Sequence, residues 1–259
     1  MFRYFIYLSY NGAAYCGWQA QPNGISVQEV VTNALQTILR APEIKIVGAG
    51  RTDTGVHAKE MVAHCDLINK IEDENILVKK LNSFLPQDIA IQKIISVDND
   101  THARFGATAR TYQYHIITKR NVFKNNFAAL IETPLDFEKM NEAAFLLTQY
   151  QDFTSFSKLH TDTKTNNCKV IFAQWQQIDN DEWVFEITAD RFLRNMVRAI
   201  VGTLIEVGRG KISLNDFRKI IENKNRALAG TSAPASGLFL TKIEYGYTVL
   251  ETIGIPLSE

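Results

Sequence analysis

The sequence of 259 residues is short of cysteine and has no long apolar run, and each shortage excludes a class of protein. Three widely spaced cysteines, Cys16, Cys65 and Cys168, argue against a disulfide framework and against a zinc ribbon. No stretch approaches the roughly 18 apolar residues that span a bilayer, and no small-residue cleavage site follows the N-terminus. We therefore expect a cytoplasmic protein with reduced thiols and no membrane partner.

The sequence also lacks net charge, because 28 Lys and Arg residues balance 28 Asp and Glu residues. A uniformly basic nucleic-acid-binding protein is thereby disfavoured, and binding to phosphate would need local clusters of basic residues. Hydrophobic residues make up 46% of the chain and charged residues 22%, which is typical of a folded globular protein and not of a disordered one.

Hydrophobic periodicity predicts an α+β protein in which one order of elements occurs roughly twice. Ser26, at capping-box spacing from Glu29, marks the start of the first helix. The predicted helices cover residues 27–38, 74–84, 136–147, 195–207 and 213–223. The predicted strands cover residues 4–10, 44–49, 61–67, 89–97, 112–118, 169–178, 183–189 and 238–245. The pattern indicates two related α+β halves that join near residues 100–110.

The segment Gly50-Arg51-Thr52-Asp53-Thr54-Gly55-Val56-His57-Ala58 lies between two predicted strands and should form a tight loop. Its glycines permit turns and close backbone approach, so Asp53 could reach into a cleft. Arg51 could orient a phosphate or carboxylate. The spacing fits no phosphate loop, dinucleotide fingerprint or metal site, and His57 with His64 is a poor match to zinc. By itself the segment is also typical of a polar turn without chemistry.

The Asp53 segment closely resembles the active-site motif of the TruA family of tRNA pseudouridine synthases. Other segments resemble the family in the family's order, over nearly the whole chain. They are Tyr10-Asn11-Gly12, Tyr15-Cys16-Gly17-Trp18-Gln19, Ser26-Val27-Gln28, Leu85-Pro86 with Asp88-Ile89, His102-Ala103-Arg104-Phe105, Ala107-Thr108-Ala109-Arg110 with Tyr112 and Tyr114, Asp152-Phe153-Thr154-Ser155-Phe156, Arg194-Asn195-Met196-Val197-Arg198, Ile200-Val201-Gly202 and Gly237-Leu238-Phe239-Leu240. The segments Cys65-Asp66 and Asn166-Asn167-Cys168 depart from it.

The resemblance implies an isomerase that converts uridine to pseudouridine at positions 38, 39 and 40 in the anticodon stem-loop of tRNA. Asp53 would be the catalytic nucleophile, acting either on C1′ of the sugar or through a glycal-like route. Tyr112 would stack on the target base, Arg198 would pair with Asp53, and Arg51 would join them in binding substrate. No cofactor and no metal are required, since no electrons leave and no group is donated.

The resemblance also implies an architecture and an assembly. The antiparallel sheets of the two halves would merge into one continuous mixed sheet, with the active-site cleft between the halves. Residues 1–105 would form the N-terminal half with the catalytic Asp, and residues 106–259 the C-terminal half with Tyr112 and Arg198. The protein would be a homodimer in which one tRNA contacts both subunits.

Several alternatives remain open on the residues alone. Tyr112 could be a buried strand aromatic and Arg198 a solvated helix residue, although Arg191, Arg194 and Arg198 are spaced to share one helix face. The protein could be an RNA-binding module without catalysis. It could also be a hydrolase in which Asp53 works with a second carboxylate, for which Glu60 is the nearest candidate.

Overall fold

The computed structural model describes residues 1–22, 24–158 and 165–246. The fold is α+β, as predicted, with nine strands in a mixed sheet accompanied by helices. Contacts divide the chain into two compact units, Met1–Ala109 with the described residues from Leu240 onwards, and Arg110–Phe239. The domains expected at residues 1–105 and 106–259 stay a prediction, because contacts measure compactness and not where function divides.

The elements of the first unit are β1 Phe2–Tyr10, α1 Val27–Leu39, β2 Ile46–Gly48, β3 His57–Leu67, α2 Glu74–Phe84 and β4 Ile89–Val97, with the last of the described strands, β9 Leu238–Tyr245. The strand order is β4-β1-β3-β9, and β2 pairs with β3. The pairs β1–β3, β1–β4 and β2–β3 are antiparallel.

Both helices of the first unit begin at a side-chain cap, and the cap at Ser26 was predicted. Ser26 Oγ accepts a hydrogen bond from the Glu29 amide at 3.2 Å, and Asp73 Oδ1 accepts one from the Ile76 amide at 3.0 Å. Each bond satisfies a helix-terminal N–H that has no partner within the helix. Helix α1 ends at Leu39, because Arg40 after it has a left-handed φ of 52°.

The elements of the second unit are β5 Ala107–Ile117, β6 Ala129–Leu130, α3 Phe137–Leu146, β7 Val170–Asp179, β8 Glu182–Ala189, α4 Met196–Gly208 and α5 Leu214–Glu222. The strand order is β5-β8-β7, with both neighbouring pairs antiparallel. The short strand β6, which the sequence did not predict, pairs parallel with β5 and makes the sheet mixed.

Helix α4 is the apolar centre of the second unit. Eleven of its 13 residues are buried, which is typical of a helix surrounded by protein on nearly all sides. It is nevertheless too short to cross a bilayer. None of the helices in the part of the chain that the structure describes combines the length and the apolar character of a membrane span.

The arginine cluster predicted on one helix face is wrong. Helix α4 begins only at Met196, because Asn195 before it adopts a left-handed conformation with φ of 65°. Arg191 and Arg194 therefore precede the helix, and Arg198 alone of the three lies on it.

The strands at the two ends of the strand order, β4 and β7, are each bonded by the side-chain amide of an asparagine. We call this pair of bonds an asparagine clamp. In the first unit, Asn82 of α2 donates to the carbonyl of Ile91 on β4 at 2.8 Å and accepts from its amide at 2.7 Å. In the second, Asn141 of α3 makes the same pair of bonds with Trp175 on β7, at 3.1 and 2.7 Å. The same device in both units fits the prediction that the halves are related.

Candidate active site

Asp53 lies on a tight loop between β2 and β3, as predicted. Its carbonyl accepts a hydrogen bond from the Val56 amide at 3.1 Å, and Gly55 within this turn has a φ of 77°. Thr52 is buried, Asp53 is half-buried and Arg51 is exposed. The loop thus holds the backbone on one side of Asp53 while part of its side chain remains accessible to solvent.

The segment Tyr10–Trp18 holds this loop through hydrogen bonds to three of its backbone or side-chain groups. The Tyr10 hydroxyl and Thr52 Oγ1 form a buried hydrogen bond of 2.8 Å. The Trp18 amide donates to the Thr52 carbonyl at 3.4 Å, and the Gly55 amide donates to the Tyr15 carbonyl at 3.3 Å. The positions before and after Asp53 are therefore fixed from outside the loop.

Two glycines in the same segment allow the backbones to touch. A Cβ at Gly12 would lie 1.9 Å from the Val56 carbonyl oxygen, and one at Gly17 would lie 2.3 Å from the Thr52 carbonyl oxygen. Gly17 also has a φ of 90°, which disfavours any other residue. No larger residue fits either position without moving the Asp53 loop, which explains why these glycines accompany the motif.

The segment Tyr10–Trp18 is itself held in place by residues outside it. The Tyr15 hydroxyl donates to Asp88 Oδ1 at 2.6 Å, and the Asn11 amide donates to the Asp88 carbonyl at 2.9 Å. Trp18 is buried at 2% exposure and leaves no room for a Cβ at Gly48, which would lie 2.3 Å from its indole nitrogen. The separate sequence motifs of the first half thus converge around one loop.

His57 is the first residue of β3 and is buried, with 1% of its surface exposed. Its Nδ1 accepts a hydrogen bond from the Gly12 amide at 3.1 Å, so a neutral ring carries its hydrogen on Nε2. This bond joins the start of β3 to the segment Tyr10–Trp18 that holds the Asp53 loop. Within the described residues, no three His, Cys, Asp or Glu side chains cluster to hold a metal ion, and His160 lies outside these residues.

Glu60 is engaged elsewhere. It lies where the register between β1 and β3 shifts, a bulge between the pairs Leu8–Met61 and Tyr10–Ala58. Its Oε1 accepts a hydrogen bond from the Ile243 amide of β9 at 2.9 Å. This bond gives Glu60 a structural role and weakens the hydrolase alternative.

Tyr112 lies on β5 of the second unit, opposite Ile187 of β8. Only 9% of its surface is exposed, and its ring meets Phe192 edge-on with 5.1 Å between centroids. Burial to this degree also fits a purely structural aromatic. Phe192, in the loop before α4, is a neighbour that the sequence analysis missed, since nothing in its spacing marks it.

Arg198 is half-buried near the start of α4 and is held by a neighbouring segment of the second unit. Its Nε donates to the Ala233 carbonyl at 2.7 Å, and the Ala233 amide donates to the Arg198 carbonyl at 2.9 Å. The carbonyl of Pro234, the residue after Ala233, accepts a hydrogen bond from the Tyr114 hydroxyl at 2.9 Å. The guanidinium is thus oriented by backbone, unlike that of a freely solvated helix arginine.

The segment that holds Arg198 was not predicted from the sequence. Arg226 organises it by donating to the carbonyls of Ala229 and Gly230 at 3.3 and 3.1 Å and to Ser232 Oγ at 3.0 Å. A Cβ at Gly202 of α4 would lie 1.8 Å from the Thr231 carbonyl oxygen, so only glycine permits this approach. The motif residue Gly202 is the one signal that could have indicated it.

The amino-acid sequence is similar to those of known proteins over most of its length. A family model described as tRNA pseudouridine synthase matches residues 6–106 and 143–246. The chain is 59% identical over 249 residues to tRNA pseudouridine synthase A of Bacteroides fragilis, covering 96% of this chain and 98% of that protein. It is 56% identical to the protein of the same name from Parabacteroides distasonis, covering 95% and 96%, respectively.

Among solved structures, a Cbf5-Nop10-Gar1 complex is similar at 9% identity and a TM-score of 0.34. The similarity covers 91% of this chain and 57% of that one, and it is too low to carry a conclusion. The family model and the relatives suffice, since both extend over most of the sequence. The chain belongs to the tRNA pseudouridine synthase family.

Proposed function

We propose that this protein isomerises uridine to pseudouridine at positions 38, 39 and 40 in the anticodon stem-loop of tRNA, with Asp53 as nucleophile. Family membership carries the proposal, since the relatives that match nearly the whole chain are named tRNA pseudouridine synthase A. The rigid loop that presents Asp53 supports it. Because tRNA is the substrate, we also propose a cytoplasmic location.

The reaction exchanges one bond of the sugar for another. The N1–C1′ bond breaks, the base turns, and the C5–C1′ bond forms. C5 then loses its proton, and N1 gains one. Atoms and electrons balance without a co-reactant. Breaking the glycosidic bond builds positive charge at C1′, which a carboxylate stabilises whether it attacks C1′ or assists a glycal route.

The fixed backbone around Asp53 suits this chemistry. A nucleophile held at a defined position loses little freedom on reaching the transition state, which is how positioning lowers a barrier. Hydrogen bonds to Thr52 and Gly55 and the close approach of Gly17 supply that constraint here. A solvent-exposed polar turn without chemistry would not need glycines at such contacts.

The other predicted site residues have roles in the proposal. The target uridine must leave its stack, which costs a few kcal/mol, and stacking on Tyr112 would return roughly 1–3 kcal/mol. Arg198 would pair with Asp53 and orient its carboxylate, for which the backbone-held guanidinium of Arg198 is suited. Arg51, exposed beside Asp53, would contact a phosphate of the RNA.

The function is tested by incubating the purified protein with unmodified tRNA transcript carrying tritium at C5 of uridine. We expect tritium release and pseudouridine at positions 38–40, because the C5–H bond must break. A transcript with cytidine at these three positions is the matched control and should release none. Binding of the tRNA without any release would indicate the RNA-binding module instead.

We propose further that the protein acts as a homodimer, and an exposed apolar segment supports this. Val122 and Phe123 are 74% and 88% exposed, and nearby Leu130 is 42% exposed. The segment is ordered, since Asn121 Oδ1 accepts from the Phe123 amide at 2.9 Å. Large apolar side chains held in solvent by an ordered turn are typical of an interface.

The charges around this segment favour a second copy of the chain over RNA. Lys119 pairs with Asp181 at 3.0 Å, and Lys124 pairs with Asp179 at 3.6 Å. Both signs of charge therefore surround the apolar residues, which disfavours a polyanion. A patch that carries both signs of charge is compatible with its own copy across a two-fold axis, because each sign has an opposite sign available on the other subunit.

Phe123→Asp is expected to raise the dimer dissociation constant by at least about 30-fold, because a charge would replace a central apolar contact. Sedimentation velocity over a dilution series measures this. Phe145→Asp, at a Phe that is 60% exposed on α3, is the matched control and should leave association unchanged. A wild-type protein that stays monomeric throughout the series would contradict the dimer.

A further inference from the structure

A ladder of four rings runs from the core of the first unit to its surface. Phe5 and His64 lie with 6.5 Å between centroids, His64 meets His102 edge-on at 4.5 Å, and His102 lies 4.4 Å from Phe105. Phe5 is fully buried and His64 is 5% exposed, whereas Phe105 is 79% exposed. The ladder therefore ends in a ring that is largely open to solvent.

The loop that presents Phe105 is firmly held. The amides of Arg104 and Phe105 both donate to His102 Nδ1, at 3.0 and 3.2 Å. The Ala103 amide donates to His64 Nδ1 at 3.2 Å, and the Ala103 carbonyl accepts from the Tyr245 hydroxyl at 2.8 Å. The loop is thus ordered before any ligand arrives. Binding would therefore not carry the entropy cost of ordering it.

A cation lies beside the ring. Arg104 is exposed, and its guanidinium carbon lies 5.9 Å from the Phe105 centroid. Of the acids near His64, Asp66 is paired with Arg3, which bonds both of its oxygens at 2.7 and 2.8 Å. Burial lowers the pKa of His64 to about 4, helped by His102, and burial also lowers the pKa of His102. The hydrogen bonds agree with this direction, because an Nδ1 atom that accepts a hydrogen bond belongs to a neutral imidazole.

We propose that Phe105 and Arg104 form a second RNA contact, in which an unpaired nucleobase stacks on the outer face of Phe105 and Arg104 meets a phosphate. The inference rests on the proposed tRNA substrate. A base continues the ladder as its fifth ring, and sequence-independent stacking beside a cation is a common way to hold unpaired nucleotides. The apolar segment at Val122 and Phe123 differs, because its surroundings carry both signs of charge.

The test measures equilibrium binding of unmodified tRNA transcript to the full chain carrying Asp53→Asn, so that the RNA is not converted. Adding Phe105→Ala should raise the Kd by about 5- to 100-fold, as expected for one lost stack. Phe105→Trp should restore tight binding, and Phe145→Ala is the matched control. Arg104→Ala should lower the slope of log Kd against log salt by about one.

Other results would overturn the inference. If the wild type modifies tRNA and Phe105→Ala binds it as tightly as its parent, this contact is wrong while the proposed function stands. If Phe105→Ala instead changes the sedimentation of the protein and leaves tRNA binding unchanged, a second copy of the chain covers the ring. If the wild type neither binds nor modifies tRNA, the proposed function fails, and this inference fails with it.

Discussion

Asp53→Asn is expected to abolish pseudouridine formation, lowering the rate by at least about 10⁴-fold, as for loss of other enzymatic nucleophiles. The amide keeps the size of the side chain but cannot stabilise the positive charge at C1′. Because the loop is held by its backbone and by Thr52, the variant should fold and still bind tRNA. Tritium release and tRNA binding, measured on the same preparation, check both expectations.

Glu60→Gln is the matched control for Asp53→Asn. Glutamine retains an oxygen that can accept the hydrogen bond from the Ile243 amide, so strand pairing and turnover should survive. A loss in Glu60→Gln as large as in Asp53→Asn would make Glu60 a second carboxylate needed for the reaction. Full activity in Asp53→Asn would remove Asp53 from the chemistry altogether.

Arg198→Ala is expected to lower kcat/KM by about 100-fold or more, a typical cost of removing a group that stabilises charge in the transition state. Lysine at this position should rescue only in part, because it restores the charge without the planar guanidinium that Nε anchors to Ala233. Single-turnover kinetics with saturating enzyme separate this effect from weaker tRNA binding.

Arg218→Ala, at an exposed arginine on α5, controls for the loss of one positive charge. It should change single-turnover rates little. Turnover of Arg198→Ala equal to that of the wild type would remove Arg198 from the site and leave its bond to Ala233 as a structural contact.

The local part of the fold was predictable from the sequence because it depends on neighbouring residues. Caps at Ser26 and Asp73 start their helices, and alternating apolar residues identify most of the strands. The left-handed Asn195 and the short strand β6 were missed, since a single backbone angle and a two-residue pairing leave no periodic signal. The prediction that Arg191, Arg194 and Arg198 share one helix face was wrong because the left-handed Asn195 delays the start of α4.

The candidate site was predicted from a motif more than from physical reasoning. Spacing alone left Asp53 in an ordinary polar turn, and what distinguishes its loop is contact with residues far away in sequence. Tyr10 reaches Thr52, and Tyr15 reaches Asp88, at separations that periodicity does not encode. The segment that holds Arg198 was missed because its contacts use backbone carbonyls, which every sequence has.

The two asparagine clamps have a consequence for association with other chains. A β-strand at the end of a sheet offers unpaired amides and carbonyls that can template the addition of a foreign strand, the first step of aggregation. Asn82 and Asn141 occupy these groups at Ile91 and Trp175 with an amide of matching geometry. A side chain thereby imitates one residue of a neighbouring strand, and the sheet gains resistance to edge-to-edge growth.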